Sequence, residues 1–243
     1  ADPAEKELAS RHTAFFTFGE NVAWSPGTIP QDGLAWQPTR HPIFLEAWPV
    51  CPGQARGSFT TVMLWDSYRS VEHDGVRYGM KSDSFGPFLD LPQKVGQVFE
   101  LAVGGATAPR TLLADNGWKV QNPLETASDP WTYRQYIQQS KAEFCVAKHG
   151  YVIGRSGWFS ERSASYLASG RPVVTQETGF SHWLKADGGV VPFSTPDEAI
   201  AGIEEINRRY EYHCRKAREI AVEYFDARKV LSDLVERSLR TSS

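Results

Sequence analysis

The chain has 243 residues, 41% of them hydrophobic and 23% charged, a composition that can bury one good core or two small ones and that excludes global disorder. Its 26 Lys and Arg against 29 Asp and Glu give a formal net charge of −3. The cations are scattered rather than stacked on one stretch, so there is no electrostatic footprint for nucleic acid or an anionic membrane surface.

The opening Ala1-Asp2-Pro3-Ala4-Glu5-Lys6 has neither an apolar core nor a basic leader, and no apolar run approaches the roughly 20 residues that span a bilayer. Membrane insertion and secretion therefore find no support. Cys51, Cys145 and Cys214 are an odd number without close spacing, which is not a disulfide framework and makes a reducing cytoplasm the expected compartment. The chain does not begin with Met, and we read it as a processed, tagged or truncated product.

Residues 1–58 are rich in Pro, Gly and Trp, with short apolar runs at Phe15-Phe16-Thr17-Phe18 and Ile43-Phe44-Leu45. That is too little periodic material for a doubly wound domain, and it reads as an edge element, a linker and at most one helix, the remnant of an N-terminal domain. From Phe59 the texture changes. Strand-like runs occur at 59–65, 99–103, 118–120, 144–147, 172–175 and 189–193, with helical stretches between them at 84–91, 108–116, 129–140 and 161–169. Short β-branched runs separated by helices predict a Rossmann-like α/β domain over 59–243, a parallel sheet with helices on both faces. Residues 195–239 read as two or three consecutive helices. The first has Thr195 as N-cap, Pro196 at the first helical position and Asp197 and Glu198 in its first turn, which suits the free amides and the dipole there.

The chemistry concentrates in 150–180, laid out as a strand, a glycine-containing loop, a polar helix start, a short helix closed by Gly170, the strand from Pro172, and a second polar loop. Ligands of open α/β sheets sit outside the carboxyl ends of the strands, where such loops converge. The helix beginning near Ser160 offers unpaired amides and a positive dipole end, and Ser160, Arg162 and Ser163 add donors, which is what a diphosphate requires. The plain alternative is an ordinary Ser N-cap beside a solvated Arg. Gly154 and Gly157 are too sparse for the G-x-G-x-x-G of dinucleotide enzymes, and no G-x-x-x-x-G-K-[ST] or G-x-S-x-G occurs, which counts against dehydrogenase, P-loop and α/β-hydrolase chemistry. The histidines show no metal-ligand spacing.

The run S-A-S-Y-L-A-S-G-R-P-V-V-T-Q-E-T-G at 163–179 resembles the helix-Gly-x-Pro-Val-Val-x-x-x-x-Gly signature in the donor-binding domain of retaining GT-B glycosyltransferases. The wider chain resembles bacterial glycosyltransferases distantly similar to the CgeB type, through F-T-F-G-E-N at 16–21, W-Q-P-T-R-H-P at 36–42, Y-R-Q-Y-I-Q-Q-S-K-A-E-F at 133–144, A-K-H-G-Y-V at 147–152, S-G-W-F-S-E-R-S at 156–163 and Y-F-D-A-R-K-V-L at 224–231. The resemblance implies two Rossmann-like domains, a nucleotide-sugar donor held mainly by the C-terminal one, an unknown acceptor, and no metal or other cofactor. It also implies that most of an N-terminal acceptor domain is missing from this chain. The acidic residue that such enzymes place five positions before the Gly is Ser165 here, leaving ribose or sugar contacts to Glu161 or Glu177.

For such a donor, Lys148 and Arg162 are the expected cations for the diphosphate, because metal-free departure of a phosphate requires positive charge on the leaving group. Arg162→Ala is then expected to weaken diphosphate binding much more than folding. Tyr151, Trp158 and Phe159 are candidates to stack on the base, with the plain reading that Trp and Phe beside a sheet are core. Gln176, Glu177, Thr178 and Gly179, after the next strand, are candidates for sugar hydroxyls, with an ordinary polar turn as the alternative. His149 reads as a polar residue at a strand exit rather than a general base. A sugar transferase whose donor half this chain supplies is the first reading, and a non-catalytic nucleotide- or sugar-binding module the second.

Overall fold

The computed structural model describes residues 7–22 and 28–240; the opening Ala1–Lys6, where a leader would fall, lies outside them. Six strands form one parallel sheet: β3 (Phe59–Leu64), β6 (Phe99–Gly104), β7 (Lys119–Gln121), β8 (Ala142–Cys145), β9 (Val173–Gln176) and β10 (Val190–Phe193), in the order β10-β9-β8-β3-β6-β7. Numbered from β3, this is the 3-2-1-4-5-6 order of the Rossmann fold, and the chain reverses its winding between β3 and β8.

Alternation along the strands builds two cores. Phe59, Met63, Phe99, Leu101, Val103, Phe144, Val174 and Phe193 face one side and pack on Leu91, Leu113, Ile203 and Ile206. Val173 and Val190 face the other, against Ile137, Ala164, Leu167, Phe180, Ala217 and Ile220. With helices burying both faces the strands lose the polar alternation of a half-solvated sheet, which is why they read as continuous apolar runs.

The six strand-like runs expected from residue 59 onward, at 59–65, 99–103, 118–120, 144–147, 172–175 and 189–193, all form strands, each within two residues of the sequence reading. Helices occur at Arg110–Asp115, Pro130–Gln139, Glu161–Ala168, Pro196–Arg208, Tyr210–Ile220 and Ala227–Arg240. Thr195 makes a full capping box, its hydroxyl accepting from the Glu198 amide while the Glu198 carboxylate accepts from the Thr195 amide. Two elements differ from the sequence reading. The stretch 84–91 is broken into Lys81–Ser84, a 3-10 turn at Gly86–Phe88 and the helix Leu91–Val95, because Gly86 and Pro87 interrupt the helical ladder. The run Tyr151-Val152-Ile153 is not a strand but part of a short helix, His149–Ile153; an apolar run of three has no period that separates the two states.

Within the first 58 residues, β1 (Phe15–Thr17) and β2 (Trp36–Pro38) form a separate parallel pair. The stretch after them is strapped onto the main body. The Ile43 amide donates to Phe225 O (2.7 Å) and the Ala227 amide to Ile43 O (2.9 Å). Arg171, fully buried, donates to the carbonyls of Cys51 (3.3 Å) and Pro52 (2.9 Å), and Arg218 to that of Trp48 (2.9 Å). A 3-10 turn at Leu45–Ala47 is the helical element of this strap.

Candidate functional site

β3 and β8 pair over only two positions, Phe59 with Ala142 and Thr60 with Glu143. Beyond them the strands diverge, β3 staying with β6 and β8 with β9. The divergence opens a crevice of about 370 Å³ at the carboxyl ends of the strands, the position that reversal of winding favours for ligands. It also strips carbonyls of sheet partners, and two buried cations replace those partners. Arg162 donates through Nη1 to Val62 O (2.8 Å), and the Lys81 ammonium donates to Val146 O.

Arg162 is the most heavily engaged residue here. Besides Val62 O, its Nε donates to Glu143 and its Nη2 to Cys145 Sγ (2.9 Å). The Glu143 side chain is wholly buried and that of Arg162 is 14% exposed. Burial opposes the guanidinium charge, but Glu143 and Cys145 beside it hold its pKa above the ordinary value. The expected diphosphate cation is therefore first a structural counter-ion. Removing it strands a carboxylate in the interior, so the expectation that Arg162→Ala would spare the fold gives way to a large folding cost.

Lys81, which the sequence reading did not single out, lines the same crevice. It is 7% exposed, and burial pushes its ammonium pKa down to about 8, with Cys145 and Glu143 acting the other way and Arg162 and Lys148 adding to the drop. In the sequence Lys81 is one more Lys after a Gly-containing turn, with nothing to separate it from a surface residue. Glu143 did carry a signal. A carboxylate inside a strand buried on both faces requires a cation partner, but the strand-like run in the sequence starts one residue after it, at 144, whereas the strand itself spans Ala142–Cys145.

The remaining sequence candidates divide into those that reach the crevice and those that hold its walls. Lys148, Tyr151, Ser160, Arg162 and Thr178 all line it. The Lys148 ammonium sits 4.0 Å over the Tyr68 ring and 5.4 Å over that of Tyr151, and Tyr151 stacks on Trp158 at 4.9 Å. Ser160 caps the Glu161–Ala168 helix, its hydroxyl accepting from the Arg162 amide (3.3 Å). The first-turn amides of Glu161 and Ser163 have no intrahelical acceptor, and this helix tip opens into the crevice. Glu161 is turned away from the crevice, into an adjoining groove of about 650 Å³ that shares Val62, Ser160 and Arg162 with it.

Ser163 is wholly buried on the inner side of the helix, and its hydroxyl does not reach the crevice. Gln176 is buried and accepts from the Ala147 amide (3.1 Å), clamping the ends of β8 and β9 together. Glu177 accepts from the Gly179 amide (2.6 Å) and from Ser181, so it shapes its own loop. Thr178 donates to Trp158 O (2.6 Å). Gly179 has φ of 92°, and a Cβ there would lie 2.5 Å from Asn21 Nδ2 and 2.8 Å from Arg155 O, a place only glycine fills. Phe159, a stacking candidate, is instead core, packed on Phe180 and Phe225. His149 accepts through Nδ1 from the Gly79 amide (3.3 Å) and does not line the crevice.

The three cysteines are free. Among the described residues no group of three metal-ligating side chains comes together, and no helix is long and apolar enough to cross a membrane.

No family model and no curated protein matches the chain. Solved structures do. AviGT4, a glycosyltransferase involved in avilamycin A biosynthesis, aligns over 86% of this chain and 59% of its own with 16% identity and a TM-score of 0.54. TarM aligns over 98% of this chain and 46% of its own with 10% identity and a TM-score of 0.61. The pneumococcal O-GlcNAc transferase GtfA, in complex with UDP and GlcNAc, aligns over 98% and 47% with 11% identity and a TM-score of 0.55. The chain thus has the Rossmann-like fold of a GT-B-type C-terminal domain. It spans about half the length of the proteins it resembles.

Proposed function

We propose that this chain supplies the donor-binding half of a cytoplasmic, metal-independent glycosyltransferase of the CgeB-like group, in which residues 1–58 are a linker or the remnant of a second, acceptor-side domain. The observation that carries the reading is the convergence of one helix tip and three cations, Lys81, Lys148 and Arg162, on a crevice at the point where the sheet reverses its winding. A diphosphate is the ligand whose charge and oxygen count match that set. Glu161 lies just beyond the tip, in the groove that also holds Trp48 and Tyr133. A carboxylate accepts from vicinal ribose hydroxyls and the rings offer faces to a base, so the nucleoside goes there and the sugar toward Lys148 and Tyr151.

In the transfer the acceptor oxygen bonds to the anomeric carbon as the bond from that carbon to the diphosphate oxygen breaks. The nucleoside diphosphate leaves with the electron pair, and the proton of the acceptor hydroxyl passes to the departing diphosphate or to solvent. The three cations favour this departure by neutralising charge that grows on the leaving group. Among the described residues that line the crevice there is no carboxylate or imidazole. That favours a second reading for the chain on its own, a nucleotide-sugar-binding module without catalysis.

Thermal unfolding in the presence of a panel of nucleoside diphosphates tests the site. At a hundredfold excess over the dissociation constant, the matching nucleotide is expected to stabilise the fold by about 2.7 kcal/mol. No stabilisation by any of them contradicts both readings.

A further inference from the structure

Across the crevice from the nucleoside groove lies a chamber of about 320 Å³ that shares Lys148, Tyr151 and Trp158 with the crevice itself. We propose that this chamber is an acceptor subsite and that it takes an aromatic alcohol carrying no positive charge; the inference rests on the donor reading above. Its position follows from shared walls, since the nucleoside groove meets the crevice at Val62, Ser160 and Arg162 and the chamber meets it at Lys148, Tyr151 and Trp158.

Its chemistry follows from the walls. Tyr68, Tyr78, Tyr151 and Trp158 present rings to the space, and Val22, Ile29 and Met80 fill in between them. Among the described residues that line it there is no carboxylate, and the one ionic group is the Lys148 ammonium at the shared boundary. An ammonium-bearing acceptor would meet repulsion and no partner, whereas a neutral ring finds apolar faces of its own kind. The hydroxyls of Tyr78 and Ser156 already donate to the Thr28 and Tyr151 carbonyls and that of Thr17 accepts from the Gly19 amide, so a polyhydroxylated sugar would surrender hydration there for few free partners. As to size, an apolar cavity of roughly 150 Å³ holds one benzene, so the chamber accommodates a fused two-ring system.

Main-chain hydrogen bonds tie the walls to one another. The Gly150 amide donates to Gly79 O (2.9 Å) and the His149 amide to Met80 O (3.2 Å), joining the His149–Ile153 helix to the segment after the hairpin of β4 (Val71–His73) and β5 (Val76–Tyr78). The Tyr78 hydroxyl donates to Thr28 O (2.7 Å). A Cβ on Gly19 would meet Val22 at 2.9 Å, so the opposite wall is closely packed as well.

The chain contains two methionines, and they report on the two spaces separately, since Met63 lines the crevice and Met80 the chamber. With ¹³C-methyl-methionine protein, 2-naphthol is expected to shift the Met80 signal saturably and to leave Met63 nearly in place, while nucleoside diphosphate shifts Met63. Glucose at the same concentration should move neither. Val71→Glu changes an exposed residue on the chamber's rim and is expected to weaken 2-naphthol about tenfold without altering the nucleotide response. Naphthol that leaves Met80 unmoved, naphthol that moves Met63 instead, or nucleotide that moves Met80 more than Met63 would each overturn the subsite while leaving a donor site intact. Naphthol moving Met80 with no nucleotide moving Met63 would overturn the donor reading, and the acceptor assignment with it.

Discussion

Glu143→Gln is expected to cost the fold about 3–5 kcal/mol, the penalty for removing one member of a buried ion pair. The native carboxylate is wholly buried and accepts from Arg162 Nε. Without it the guanidinium stays in the interior beside Lys81, held by the Val62 carbonyl and the Cys145 thiol but with no anion. Arg162→Ala should be similarly damaging for the converse reason, a carboxylate left alone. Replacing the pair together, Glu143→Leu with Arg162→Met, should recover much of the loss, because two apolar side chains leave no uncompensated charge. The Val62 carbonyl would still lack its donor, so the recovery is incomplete. Urea unfolding of the two single variants and the double variant measures all three; single variants within 1 kcal/mol of the parent, a bound well under the range given above, would show that the pair is not the buried unit described.

Lys81→Met is expected to lower nucleoside diphosphate affinity roughly ten- to hundredfold, the range for losing a charge-assisted contact, while changing the stability of the fold little, because relief of the buried charge is offset by loss of the donor to Val146 O. The same burial depresses the Lys81 pKa from 10.5 to about 8. Between those values the unfolded chain holds more protons than the folded one, so stability rises with pH across that window, and below about pH 8 the full cost of burying the charge is present. Nucleotide affinity should move the other way, falling as pH rises through about 8, because the ammonium that receives the diphosphate is lost. In the Met variant both dependences should disappear. Calorimetric titration at pH 7 and pH 9, with unfolding at the same two values, checks this; affinity that falls with pH equally in parent and variant would remove Lys81 from the site.

The parts of this protein that local pattern controls were visible before the fold was known. Short β-branched runs located the six strands, since a sheet covered on both faces leaves no other periodicity to read. Ser160 and Thr195 located helix starts, because the cap is a contact within three residues of chain. What stayed hidden is non-local. Gln176 and Glu177 look like ligand-binding polar residues, and the structure uses them to fasten β9 to β8 and to shape a loop. Arg162 looks like a free cation until Glu143, 19 residues earlier, is seen to face it. Lys81 acquires its role from the splaying of β3 and β8, a property of strand pairing to which its own neighbours contribute nothing. The strap of residues 43–54 was likewise unreadable, since it is held by carbonyl contacts to Arg171 and Arg218 rather than by any pattern of its own.

On the proposed reading, the tip of the Glu161–Ala168 helix, with Lys81 and Lys148 beside it, receives a diphosphate. Titrating ¹⁵N-labelled protein with nucleoside diphosphate tests it residue by residue. The backbone amide signals of Glu161, Arg162 and Ser163 are expected to shift most, and saturably, together with those of residues 147 and 148. Shifts confined to surfaces away from this crevice, or first-turn amides that stay fixed while the nucleotide binds, would contradict it.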